Sequence, residues 1–187
     1  VFRSFSHKDG PQGIAAIIRQ RWTTITSLDP IDGLWVALDS VADPGNLGAI
    51  LRTTEAAGGK GVILLDQSTD PYDPTTIRAS MGSLFNLQLF KTSFGQFEEW
   101  KRGTNVMTVG TDGEADLDYR QLRYPCPIIL LMGSEREGLL SHHYQLCDEI
   151  VRIPMLGRSD SLNLAVATGI VIYEIFNQWH PVRGENK

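Results

Sequence analysis

Apolar and polar positions follow two rhythms along the chain. Short runs of apolar and β-branched residues at 35–39, 61–65, 87–90, 106–109, 128–132 and 149–153 read as strands. The stretch 61–65 is apolar throughout, as a strand covered on both faces of a parallel sheet should be. Between the runs lie helical patterns. In 46–57 the positions Leu47, Ile50, Leu51 and Thr54 recur at i, i+3, i+4 and i+7, and Gly58 supplies the stop. Asp73-Pro74 reads as an N-cap with proline in the first turn, opening a helix to 81. Further helices fit 94–101 and 141–147. Alternation of this kind predicts an α/β fold, a mostly parallel sheet flanked by helices.

The last long element is predicted over 161–178. Its stretch 164–173 is apolar on every face, so the sheet can cover only one side and a second subunit is the expected cover for the other. The first thirty residues differ. A polar, turn-rich stretch at 7–13 and a short apolar run at 14–18 are followed by linker-like segments. No internal repeat appears.

Composition narrows the function. The 187 residues are 42% hydrophobic and 21% charged, ordinary for a globular chain. Lys and Arg number 17 against 22 Asp and Glu, a net charge of −5, which excludes nucleic-acid binding by bulk charge but leaves room for a local basic patch. Cys126 and Cys147 are the two cysteines, too few for a disulfide framework or a cysteine zinc site, and a reducing cytoplasm is the expected setting. No apolar run approaches the length of a membrane span. The dinucleotide fingerprint, the phosphate loop and the nucleophile elbow are missing. Gly58-Gly59-Lys60-Gly61 follows a helix and precedes a strand, the reverse of a helix-N-terminus phosphate site. His142 and His143 are expected on an exposed first helical turn, and none of the four histidines has metal-ligand spacing.

Three loops that follow predicted strands combine small, polar and charged residues, where α/β sheets gather their ligands. They run over 43–52, 132–139 and 153–163. Each also has a structural reading, since Asn46 and Ser161 could cap the helices behind them. Taken together they resemble the SpoU/TrmH family of RNA ribose 2′-O-methyltransferases, of the knotted SPOUT class. Asn46-Leu-Gly-Ala-Ile-Leu-Arg52 resembles that family's first motif, and Gly133-Ser-Glu135-Arg-Glu-Gly138-Leu139 its second. Ile153-Pro-Met155, Gly157 and Ser161-Leu-Asn163 resemble the third, and the segment from Arg78 to Phe85 resembles the family's linking segment.

The resemblance covers residues 33–178 and implies a knotted methyltransferase domain at 33–187, with a trefoil knot near the C-terminus. It implies methyl transfer from S-adenosylmethionine to a ribose 2′-hydroxyl of RNA, with no metal. Backbone groups at Gly133, Ile153 and Leu162, with Met155 beside them, would hold the donor, and Gly110 would close the pocket. Arg52 is the family's catalytic arginine. A guanidinium is not deprotonated in proteins, so a phosphate clamp suits it better than a base. Asn46 and Asn163 would orient the ribose or Arg52. Glu135 would position Asn46 or the RNA backbone, and Ser161 would contact substrate or cap the last helix. Arg136 and Arg158, with Arg52, would form a basic lip for RNA.

Gln12-Gly-Ile-Ala-Ala16 resembles the end of a small RNA-binding domain that many members carry. With Val1 in place of a methionine, residues 1–32 are expected to be that domain's tail and a linker. This favours ribosomal RNA over transfer RNA. The alternatives are a transfer RNA enzyme, or a non-catalytic RNA-binding protein on the same scaffold. Presence of Arg52, Asn46 and Asn163 weighs against the second.

Overall fold

The computed structural model describes residues 16–28 and 32–181. Seven strands form one sheet: β1 (Leu34–Asp39), β2 (Gly61–Leu65), β3 (Gln88–Thr92), β4 (Met107–Thr111), β5 (Leu117–Asp118), β6 (Ile128–Met132) and β7 (Glu149–Arg152). Their order is β3-β2-β1-β6-β4-β7-β5, and every pairing is parallel. The central strands β1, β2 and β6 are buried along their whole length, which explains their lack of a polar face. Val36 stands opposite Val62 on one side and Leu130 on the other. The two-residue β5 at the sheet's edge had no apolar run to announce it.

The alternation of β1 divides the core. Leu34, Val36 and Leu38 face α1 (Pro44–Ala56) and α5 (Leu164–Trp179), packing with Leu47, Ile50 and Val171. Trp35 and Ala37 face the opposite side with Phe90, Phe94 and Phe97, the last two from α3 (Phe94–Arg102). The short helices α2 (Pro74–Ser80) and α4 (Ser141–Leu146) complete the two layers.

Helix ends depart from the sequence pattern for chemical reasons. Helix α1 starts two residues before the predicted 46, because Asp43 Oδ1 accepts the Asn46 N–H at 2.7 Å and Pro44 fills the first turn. Asn46 therefore lies inside the helix and does not cap it. Helix α5 starts at Leu164, three residues after the predicted 161. Asn163, not Ser161, is its cap: Asn163 Oδ1 accepts from Ala165 N at 2.9 Å and Val166 N at 3.3 Å. The cap at Asp73 lies where the pattern put it, accepting from Thr75 N at 2.7 Å.

Of the expected tail and linker, residues 16–28 are described, and Thr23 meets the edge of β3. Thr23 N–H donates to Leu89 O at 2.9 Å, and Ile25 and Leu28 are buried. The turn at 7–13 and most of the 12–16 stretch lie outside the described residues. Helix α5 buries Val171, Ile172 and Ile175 but leaves Val166 and Tyr173 about half exposed. No helix among the described residues is long and apolar enough to cross a membrane.

Helices α1 and α2 meet closely at Gly48. A side chain there would run into Ala79 and lie 2.7 Å from the Thr76 carbonyl. Gly48→Val is therefore expected to destabilise the fold by about 1–3 kcal/mol. Urea unfolding reads this directly, and an unchanged midpoint would show that the two helices can part at no cost.

Candidate functional site

Three loops converge at the C-terminal ends of β1, β6 and β7. The loop after β1 leads into α1, the loop after β6 carries Gly133 to Gly138, and the loop after β7 leads to α5. Hydrogen bonds join all three. Glu135 accepts the backbone N–H groups of Ala42 at 3.0 Å and Asp43 at 3.2 Å. It also accepts from Asn46 Nδ2 at 3.1 Å. Asn46 Oδ1 in turn accepts from Asn163 Nδ2 at 2.9 Å, while Asn163 Oδ1 caps α5. Each amide is thus oriented at both ends. Of the placements open to Glu135, the structure gives the contact with Asn46.

Partial burial pushes the Glu135 carboxyl up, but the N–H groups around it more than offset this. The Ala42 N–H and Asn46 amide contribute most, and the carboxyl is held below the ordinary 4.5.

Beside the relay opens a cleft of about 290 Å³. Gly133, Glu135, Arg136, Ile153, Met155, Ser161 and Leu162 line it. Glycine is required at 133, where any side chain would collide with the Gly138 backbone across the turn. Gly110 does not line the cleft. A side chain there would meet Leu139 at 2.6 Å and Cys147 at 2.9 Å, so Gly110 allows α4 and its preceding loop to sit close on β4. Thr111, Asp112 and Gly113, just beyond it, do line the cleft, as does Asp160. The turn residues Asp112-Gly113 after a strand were the sequence signal that could have found them.

Arg52, Asn46, Asn163 and Arg158 lie outside the cleft lining. Arg52 follows Asn46 on α1 by roughly 9 Å of helix rise. Its side chain is exposed and forms none of the ion pairs among the described residues. Arg136 and Arg158 are also exposed.

The histidine pair departs from expectation. His142 is exposed but His143 is fully buried, with its Nε2 2.9 Å from Asp39 Oδ2. Asp39, His142 and His143 bring ligand-type atoms within 4.8 Å of one another, a grouping sequence spacing could not show. Yet His143 Nδ1 accepts the Leu140 N–H at 2.8 Å, which leaves the ring proton on Nε2. That nitrogen faces the carboxylate as a poorly aligned donor and has no lone pair for a metal.

The family model described as the SpoU rRNA Methylase family matches residues 33–173. The chain belongs to the SpoU methylase family. It is 39% identical over 153 residues to the 23S rRNA (uridine(2479)-2'-O)-methyltransferase of Streptomyces viridochromogenes, covering 79% of this chain and 53% of that protein. It is 37% identical over 150 residues to the 23S rRNA (guanosine-2'-O-)-methyltransferase RlmB of Pseudomonas aeruginosa, covering 80% and 60%. Among solved structures it resembles the AdoMet-bound rRNA methyltransferase from Sinorhizobium meliloti, with a TM-score of 0.82 and 40% identity over 88% of this chain and 63% of that one. The chain thus spans between half and two thirds of the length of these curated relatives. In this SpoU domain the three motif loops are the three that the relay ties together.

Because Glu135 has a depressed pKa when folded, its stabilising contribution is fully present above 4.5 and is lost as pH falls through the folded value. Glu135→Gln is expected to flatten the fall in stability between neutral pH and pH ~3 relative to the parent. Urea unfolding across that range checks it; superimposable profiles would mean that the carboxylate charge does not hold the loops.

Proposed function

We propose that the chain carries the catalytic domain of an S-adenosylmethionine-dependent RNA ribose 2′-O-methyltransferase, acting on ribosomal RNA of the 23S type. The observation that carries this reading is the Asn163–Asn46–Glu135 relay beside the cleft, because it fixes two side-chain amides beside one opening. The names of the relatives supply the substrate class. The C-terminal trefoil knot and a cytoplasmic setting belong to the same reading.

The donor fits the cleft by its lining. Ile153, Met155 and Leu162 offer apolar surface for a purine ring, and the bare backbone at Gly133 allows close approach. When bound, the donor supplies a methyl group on a positively charged sulfur, already electrophilic. The chain's own residues then have two tasks: to align the hydroxyl, and to ease loss of its proton. Asn46 and Asn163 are locked against rotation, so the ribose meets fixed amide groups. Arg52, free of carboxylate partners, clamps a backbone phosphate in bidentate fashion and stabilises the developing alkoxide. The proton passes to the phosphate or to water. Ser161 at the cleft rim contacts substrate, since the capping role belongs to Asn163. Arg136 and Arg158 add positive charge at the opening.

The uncovered apolar side of α5, with Val166 and Tyr173 half exposed, supports a homodimer through this helix. Sedimentation at micromolar concentration is expected to give a dimer; a monomer would refute it. Arg52→Ala is expected to lower methyl transfer into ribosomal RNA by roughly a hundredfold while calorimetric binding of S-adenosylmethionine stays as in the parent. Asn163→Asp keeps the cap of α5 but sets an oxygen against Asn46 Oδ1, so transfer should fall at least tenfold with little change in unfolding. Parent-like transfer in either variant would remove that residue from the mechanism.

A further inference from the structure

A second concave surface lies at the opposite edge of the sheet from the catalytic loops' last strand, along β3. Its volume is about 770 Å³. One wall is the Ile18–Thr23 segment and the other is the turn that precedes β3, through Phe85. The segment is held in place, not loosely draped. The Tyr72 hydroxyl accepts the Arg21 N–H and donates to the Arg21 carbonyl, both at 2.9 Å, and Thr23 joins the β3 edge.

The lining combines three kinds of group. Phe85 is 56% exposed, although a core position a residue earlier, Leu84, is buried. Trp22, on the same segment but outside the lining itself, is 39% exposed and meets Tyr72 of the lining edge to face at 5.6 Å, which fixes its ring plane. Arg19 and Arg21 are the charged residues of the lining, and among the described residues no carboxylate lines it with them. Lys91 stands 6.0 Å from the Trp22 ring centroid and adds a further cation. On a chain of net charge −5 this is a local reversal of sign.

Fixed aromatic faces beside guanidinium groups are what single-stranded RNA needs. Every base has a π-face to stack, and phosphates spaced along the strand find cations without sequence-specific contacts. A docked apolar protein segment would not explain a carboxylate-free pair of arginines flanking the rings. We propose that this groove is a single-stranded RNA subsite, with bases stacked on Phe85 and Trp22 and phosphates held by Arg19 and Arg21. The inference deepens the proposed function, since it rests on RNA being the substrate.

The test uses the whole chain and a fluorescein-labelled uridine 12-mer, followed by anisotropy at several salt concentrations. Phe85→Ala is expected to weaken binding roughly tenfold, and Phe85→Trp to restore it. Replacing Arg19 and Arg21 by alanine should reduce the slope of log affinity against log salt by about 1.4, two phosphates' worth. S-adenosylmethionine binding by calorimetry should be unchanged in all three variants. Parent-like RNA affinity in Phe85→Ala would overturn the subsite, as would an unaltered salt slope in the double variant. A parent that binds no 12-mer would also overturn it, and intact donor binding would then show that the methyltransferase reading survives. If Phe85→Ala instead shifts sedimentation from dimer to monomer, the groove belongs to a second copy and the RNA assignment falls.

Discussion

Glu135 collects two backbone N–H donors from the loop after β1 and the side-chain amide of Asn46, and through Asn46 it reaches the residue that caps α5. Without it, three loops that leave different strands would each have to be ordered by their own turn chemistry. Charge-assisted hydrogen bonds to a carboxylate are roughly twice as strong as neutral ones, and a chain of them polarises its members. The relay also couples packing to chemistry. Asn163 spends its oxygen on two backbone N–H groups of α5, so its amide nitrogen can point only toward Asn46. Asn46 sits in the first turn of a helix whose cap is Asp43, so its position follows from the Asp43-Pro44 turn. The helix cap and the amide that joins Asn46 are thus the same side chain.

That economy depends on the sheet being parallel. Parallel strands end their chains on one side, and the loops after β1, β6 and β7 emerge there together although β4 separates β6 from β7. The apolar runs that make β1, β2 and β6 indifferent to which face they show water are the precondition for covering both faces with helices. One face, through Leu34, Val36 and Leu38, receives the helices that carry Asn46, Arg52 and the Asn163 cap. The other receives the aromatic layer of Phe90, Phe94 and Phe97 and the buried His143.

Much of this was legible from residue order. The strands and helices were visible because their periods differ, and the three motif loops because small and polar residues follow buried runs. What could not be read was which of two capping residues wins. Ser161 and Asn163 are both good caps, and only the relay, which needs Asn163 Nδ2 near Asn46, favours the later one. The burial of His143 was hidden for a similar reason: a histidine on a six-residue helix looks exposed until Asp39, from the end of β1, closes over it. Gly110 was expected from the family resemblance to close the pocket, and in the fold its missing side chain makes room for Leu139 and Cys147. The cleft wall is instead formed by Thr111 to Gly113, one step further along.

The two concave surfaces carry opposite charge, and this separates their ligands. The cleft is lined by Asp112, Glu135, Glu137 and Asp160 against Arg136 alone, a field that favours a donor bearing a sulfonium cation and disfavours bare phosphate. Among the described residues the groove along β3 is lined by two arginines and no carboxylate, and Arg52 and Arg158 stand outside the cleft lining. On the proposed function, a polyanionic strand would be repelled from the cleft and drawn to the arginines outside it. The uncharged ribose hydroxyl would, on the same reading, meet neither repulsion, with Arg52 holding the adjacent phosphate outside the cleft. A chain of net charge −5 can therefore still offer a surface suited to phosphates, because arginines gather in the groove and carboxylates in the cleft.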